Sequence, residues 1–248
     1  MTLRIYRAYQ AVILAICGFV LLIKILSGDL RLYIGPEFLL LFLFASILLL
    51  ALAQNLLGGR KLYPQPVSRE LTHEESRSLI TGLLIMLLPL LIGLSFSGKP
   101  LGALALTKRG VQQIVPFKVS PADRIRTFGI PESNWNILDW MIVAQTVEET
   151  TSYNGDPISI TGLVYMDQPV TGDQFILARF LVNCCQTEAV AIGIPIEWSV
   201  IQPLVTGEWV SVQGRVEILY PGQKPQIMIR ADSVTPIPAP DQPYVLFR

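Results

Sequence analysis

Charge is scarce in this sequence: 15% of its residues are charged and 51% are hydrophobic, where soluble domains usually carry ~25% charge. The 19 basic and 19 acidic side chains cancel, which removes the electrostatic reason to expect nucleic acid as a partner. His73 is the single histidine, too few for a His-based zinc site or a His-assisted nucleophile. Three cysteines, Cys17, Cys184 and Cys185, make neither a disulfide framework nor a CxxC pair. There is no Gly-rich phosphate loop and no paired-carboxylate motif. These absences point away from an enzyme, and no cofactor is expected.

The apolar excess lies almost entirely before Lys99. Three runs carry it, at about 8–27, 38–58 and 78–98. The last, Ser78 to Gly98, holds 21 residues without a charge between Arg77 and Lys99, enough helix to cross ~30 Å of hydrocarbon. In the first run only Lys24 interrupts, close enough to the end to snorkel. Arg4 and Arg7 before it also suit a signal peptide, but no A-x-A-like cleavage site follows. Three transmembrane helices over 1–98 are therefore expected. Ala11, Ala15 and Gly18 recur at helical spacing, as do Gly93 and Ser97, and small residues so placed let helices approach closely in lipid. Pro89 predicts a kink in the third span.

No Asp, Glu, His or Arg lies inside any of these runs and no repeat relates them. Solute pathways through helical proteins are normally marked by such groups or by broken repeats. An anchor or subunit is expected rather than a complete transporter. Arg4, Arg7, Arg60, Lys61, Arg69 and Arg77 outnumber Lys24, Arg31, Lys99, Lys108 and Arg109 by one across the bilayer. The positive-inside rule then puts the N-terminus inside and the C-terminal domain outside the cytoplasm. An integral protein of a bacterial plasma membrane is the expectation.

Beyond Lys99 the pattern changes. Residues 99–135, punctuated by Pro100, Pro116, Pro121 and Pro131, read as an extended linker. Within 136–248, Ile137, Trp140, Met141 and Ala144 fall at helical spacing, predicting a short helix over 136–150 capped by Ser133 or Asn134. Five β runs follow: Ile158–Tyr165, Phe175–Val182, Val190–Trp198, Glu208–Leu219 and Gln226–Ala231. Pro195 in the third cannot donate to a ladder and predicts an edge or bulge. Glycines inside the first and fourth runs, Gly162 and Gly214, suit strongly coiled strands. The expected fold is an α-helical membrane half followed by an all-β, OB-like five-stranded barrel, with the helix between its third and fourth strands reduced or missing. Such barrels often bind nucleic acid through a basic, aromatic face. Here Phe175, Trp198 and Trp209 have apolar neighbours while Arg179, Arg215 and Arg230 are scattered, which favours core packing.

The stretch FILARFLVNCCQTEAVAIGIP at Phe175–Pro195 resembles the YcgQ-like family of two-component permease complex subunits. ISITGLVY at Ile158–Tyr165, GEWVSVQGRV at Gly207–Val216, and the third span running into Thr107-Lys108-Arg109-Gly110 support it. The resemblance implies N-terminal spans, a C-terminal domain of uncharacterised function, and a multi-spanning permease as partner. Some relatives carry a His-rich loop between the second and third spans, and Gly58–Arg77 has only His73.

Successive strand residues face opposite ways, so Cys184 would continue the apolar face of Ile176 to Val182 and Cys185 would join Arg179 and Asn183. Packing at a strand end is one reading, since buried free cysteine behaves as a small hydrophobe. A soft-metal or metalloid site is another, provided a bulge turns both sulfurs the same way. A redox role is the third. Two functions follow: an accessory permease subunit docked on its partner in the bilayer, or a membrane-tethered module that binds or senses a soft metal through Cys184 and Cys185.

Overall fold

In a computed structural model the described residues are 3–58, 72–95, 98–145, 151–166, 174–199, 203–220 and 225–246. The chain divides into two units, Met1–Lys99 and Pro100–Arg248.

The first unit is helical: α1 (Leu3–Leu26), α2 (Leu39–Gly58) and α3 (His73–Ser95). Two stretches, Ile5–Leu26 and Pro36–Leu57, are long and apolar enough to cross a membrane. Little of either is covered by the chain itself, and Phe19, Leu40 and Phe44 stand more than half exposed. Where α1 meets α2 the contact is built from small residues. Ala11, Gly18, Ser46 and Ala53 are buried, and the Ser46 hydroxyl donates to the Gly18 carbonyl at 2.9 Å. The expected role of Ala11 and Gly18 is thereby located, with Ala15 half-buried beside them. Gly93 instead has no atom within 4 Å of where a Cβ would sit, and Ser97 lies outside the described residues. Lys24 reaches past the end of α1 to Asp29, at 3.0 Å.

Among the described residues the third run is not shown at spanning length, residues 96 and 97 lying outside them. α3 begins four residues before Arg77 and carries His73, Glu74, Glu75 and Arg77 in its opening turns. Its apolar part is Ile80–Gly93. The helix passes through Pro89.

The second unit corrects the linker. Residues 99–135 are not an extended connector, because apolar side chains within them have places in the core. Leu106 of α4 (Ala103–Arg109) is fully buried, Val115 and Trp135 are buried, and α5 (Pro121–Phe128) lies between them in sequence. Ser120 and Asp123 form a capping box at α5. Hydrogen bonds from the Ser120 hydroxyl and backbone, with Arg126 beside them, hold the Asp123 carboxyl below the usual carboxylate range. A depressed folded-state value stabilises the fold above the unfolded value and is lost as pH falls through the folded one. Asp123→Asn is thus expected to cost up to about 1 kcal/mol at pH 7. The difference from the parent should shrink below about pH 4, measured by denaturant titration in detergent with tryptophan fluorescence.

Helix α6 (Ile137–Ala144) is shorter than the expected 136–150, and its cap is Asn136 rather than Ser133 or Asn134. The Asn136 side chain accepts from Leu138 N at 2.8 Å, and Asp139 returns a bond to Asn136 N at 2.9 Å. Residues 146–150 lie outside the described set. Every residue of α6 is buried, since the helix packs on the strands of a barrel.

That barrel contains β1 (Pro157–Tyr165), β2 (Gln174–Val182), β3 (Val190–Glu197), β4 (Trp209–Leu219) and β5 (Gln226–Pro236). β1, β2 and β3 pair in succession, β3 pairs with β5 in parallel, and β5 returns through β4 to β1, closing the sheet. Among the described residues between β3 and β4 there is no helix. Pro195 behaves as expected of an edge. The amide of Gly193 and the carbonyl of Ala191 point away from β2 to Gln112, so Pro195, two residues on, lacks its N–H on the side where β3 has no strand partner until Ile196.

Inside the barrel, Ile192, Ile194, Ile196, Val210, Val212 and Val216 alternate onto the core face. On β2 the assignment reverses. Phe175, Leu177 and Leu181 join this core, whereas Ala178, Phe180 and Val182 form a second core with Leu106 of α4, Trp209 and Tyr244. β2 is apolar on both faces because its outer face packs with Leu106 of α4 and with Tyr244 of a short sixth strand, β6 (Tyr244–Leu246), which pairs in parallel along the edge of β2. Gly162 has the Ala178 carbonyl 2.8 Å from its absent Cβ. At Gly214 the register with β5 shifts, and a methyl group would overlap the Arg230 carbonyl.

Candidate functional site

Strand β2 stops at Val182, and this stop makes the site. Asn183 and Cys184 form a bend, and Cys185 leads into a single 3-10 turn, Gln186–Glu188. Freed from strand alternation, the sulfurs of Cys184 and Cys185 come to 3.6 Å. Both cysteines are free and half-buried, so neither is the core hydrophobe that the packing reading required. The turn adds Glu188, whose Oε2 accepts from Cys184 Sγ at 2.9 Å. Thr187 Oγ1 lies 3.3 Å from Cys185 Sγ. Among the described residues, Cys184, Cys185 and Glu188 form one group of potential ligand atoms within 4.8 Å of one another.

The turn is held from outside. Arg109, at the end of α4, donates to the carbonyls of Gln186 and Ala189. Tyr244 Oη accepts from Gln186 Nε2 at 3.3 Å and from Leu101 N at 3.2 Å. The chain's own N-terminal flank therefore braces the cysteine turn at both ends of α4. Sequence inspection found the two cysteines and missed Glu188, Thr187 and Arg109. An acid three residues after the second cysteine was visible, but nothing marked the strand end that brings it round.

The two thiols are chemically unequal. The hydrogen bond to the Glu188 carboxylate, reinforced by the neighbouring sulfur, keeps the Cys184 proton in place up to about 12. Cys185 is pushed below its ordinary value, first by the Thr187 hydroxyl, then by Cys184 and the amides of Glu188 and Thr187. The thiolate is the nucleophile, so limited alkylation at pH 7–8 is expected to label Cys185 on the order of tenfold faster than Cys184 or more. Peptide mass spectrometry reads the ratio, and Thr187→Val should narrow it.

The family profile described as the DUF1980 N-terminal domain matches residues 9–112, and the profile described as the DUF1980 C-terminal domain matches residues 130–247. The chain carries both DUF1980 domains. No curated protein matches it. The cysteine turn belongs to the DUF1980 C-terminal match, whereas Arg109 and Leu101, which brace that turn, belong to the DUF1980 N-terminal match.

The three arginines that the sequence singled out have partners of their own in the DUF1980 barrel. Arg179 donates to the Gln242 and Pro243 carbonyls and stacks 5.4 Å from the Trp209 ring centre. Burial lowers its value to about 10, so it stays cationic at neutral pH. Arg230 pairs with Glu197 and Glu217, each at 3.0 Å, and Arg215 donates to Gly155 O at 3.1 Å. Phe175 and Trp209 are buried and Trp198 is half-buried. These residues thus pack and pair within the DUF1980 barrel.

Proposed function

We propose that this chain is an accessory subunit of a two-component membrane permease complex. Its helices dock on a multi-spanning permease within the bilayer, and its OB-like barrel is presented on the extracytoplasmic side. The observation that carries this reading is the outer surface of α1 and α2. It is apolar along most of both stretches of spanning length, with exposed Glu37 and Gln54 near the two ends of the second, and the buried polar group among the unit's described residues is Ser46, used between the two helices. Helices of this kind anchor and pack but offer no path to a solute. The resemblance to YcgQ-like subunits supports the same reading, with α3 as a third span. Mild-detergent purification of the tagged chain from its native membrane is expected to bring down a multi-spanning partner. Recovery as a lone monomer overturns it.

A second reading has one observation of its own. The two sulfurs lie on the same side, 3.6 Å apart, with a carboxylate against one of them. That favours a membrane-tethered module that binds a soft metal or metalloid through Cys184 and Cys185. Titration of the reduced full chain with soft ions checks it: affinity unchanged when both cysteines are serine removes it.

A further inference from the structure

We infer that Cys184, Cys185 and Glu188 form a three-ligand site for a borderline divalent cation of the zinc class, with the fourth position open. This rests on the binding-module reading and goes further, because the geometry selects among thiophilic ions. With a metal–sulfur bond of about 2.3 Å, sulfurs 3.6 Å apart subtend roughly 100° at the ion, close to a tetrahedral angle. A linear two-coordinate ion of the cuprous type would need them about 4.6 Å apart at the same bond length. Opening them to that distance would turn the side chains away from the arrangement in which they stand.

The third ligand points the same way. A carboxylate oxygen is a harder donor than a thiolate, and a mixed S2O set suits a borderline ion better than a purely soft one. Glu188 is exposed and free to swing. At 2.9 Å from Cys184 Sγ it stands closer than the roughly 3.5 Å that oxygen and sulfur keep across a tetrahedral ion, so binding requires a small outward rotation. On binding, protons still held by the sulfurs leave to water and each sulfur gives the ion an electron pair. Two thiolates and a carboxylate exceed the charge of a divalent ion by one, and the Arg109 guanidinium bonded to the same turn offsets the excess. Thr187 supplies the outer hydrogen bond to Cys185 that orients ligands in metal sites.

Structural zinc sites are closed by four protein ligands, whereas three protein ligands leave room for water or an incoming donor. Three ligands on an accessible turn make a site from which an ion can be handed on.

The test uses the full reduced chain in detergent. Cobalt(II) is added as a spectroscopic probe, zinc(II) in competition with a chromophoric chelator, and copper(I) separately. One cobalt per chain is expected, with intense visible bands and sulfur-to-metal charge transfer. Zinc should displace it. Cys184→Ser and Cys185→Ser should each weaken zinc by more than the ~100-fold typical of losing an outer partner. Glu188→Gln should weaken zinc at least tenfold while leaving copper(I) within about threefold. Far-UV circular dichroism of each variant checks the fold. Copper(I) bound through the cysteines without zinc overturns this inference and leaves the binding-module reading standing. No ion bound by reduced thiols overturns both. Zinc bound with unchanged affinity in the serine or glutamine variants also overturns the assignment, since the ion then sits elsewhere.

Discussion

Gly214→Ala is expected to destabilise the C-terminal unit by about 3 kcal/mol, the upper end of what overpacking costs. The obstruction is backbone rather than a side chain that can turn aside. A methyl group at Gly214 would overlap the Arg230 carbonyl and stand 2.9 Å from the Ala231 Cα. It would do so where β4 and β5 slip register to turn the sheet on itself. To relieve the clash the two strands must separate at the bulge, and the barrel closes through that pair. Gly102→Ala is the control, because Gly102 has nothing within 4 Å of the added carbon. At the N-cap of α4 the change should cost about 0.5–1 kcal/mol, the difference between glycine and alanine at a cap, well short of the effect at Gly214. Thermal unfolding followed by near-UV circular dichroism compares the two. Equal melting temperatures would mean that closure tolerates a side chain at the bulge.

Gly18→Leu should have a comparable effect in the helical unit. A Cβ there would lie 3.0 Å from Leu50 Cγ and 3.1 Å from the Ser46 carbonyl, so a leucine has no volume to occupy. The same substitution pulls the Gly18 carbonyl away from the Ser46 hydroxyl and leaves a polar group buried between apolar helices. Together these should cost about 2–3 kcal/mol of helix association. The readout is cross-linking between cysteines placed at facing positions on α1 and α2. A substitution at Gly93, where no neighbour lies within 4 Å, should leave that yield unchanged. If Gly18→Leu also leaves it intact, small residues do not govern this pairing.

Much of the architecture was legible because it rests on two periodicities and on turn chemistry. The alternation Val210, Val212, Val216 reads directly as an inner face, and the closure of five strands followed from their number, length and glycines. What escaped the sequence was burial without a repeating pattern. Leu106 sits in a seven-residue helix too short to display a period, so the proline-marked stretch around it looked like a connector. β2 reads as one apolar face only if its other face is wet. Once Leu106 of α4 and Tyr244 of β6 cover it, both faces must be apolar, and Phe175, Leu177 and Leu181 take the interior. The third span was read from the uncharged run Ser78 to Gly98, of which the described residues carry an apolar helix over Ile80–Gly93, residues 96 and 97 lying outside them. At the site the cysteines were visible, but their alignment depended on where the strand stopped. Nothing in the composition of Asn183 to Thr187 announces that stop.

The outer cover of β2 has a consequence for how the two halves were inherited. The profile matches end at residue 112 and resume at residue 130, yet the second folding unit begins at Pro100. Leu106 and Arg109 are thus counted with one domain by descent and with the other by physics. Where evolution could shuffle this protein and where the chain could be cut without harm are different places. A truncation meant to free the barrel should begin at Pro100, because a cut at the profile boundary removes Leu106 and Arg109 from the unit that they pack in.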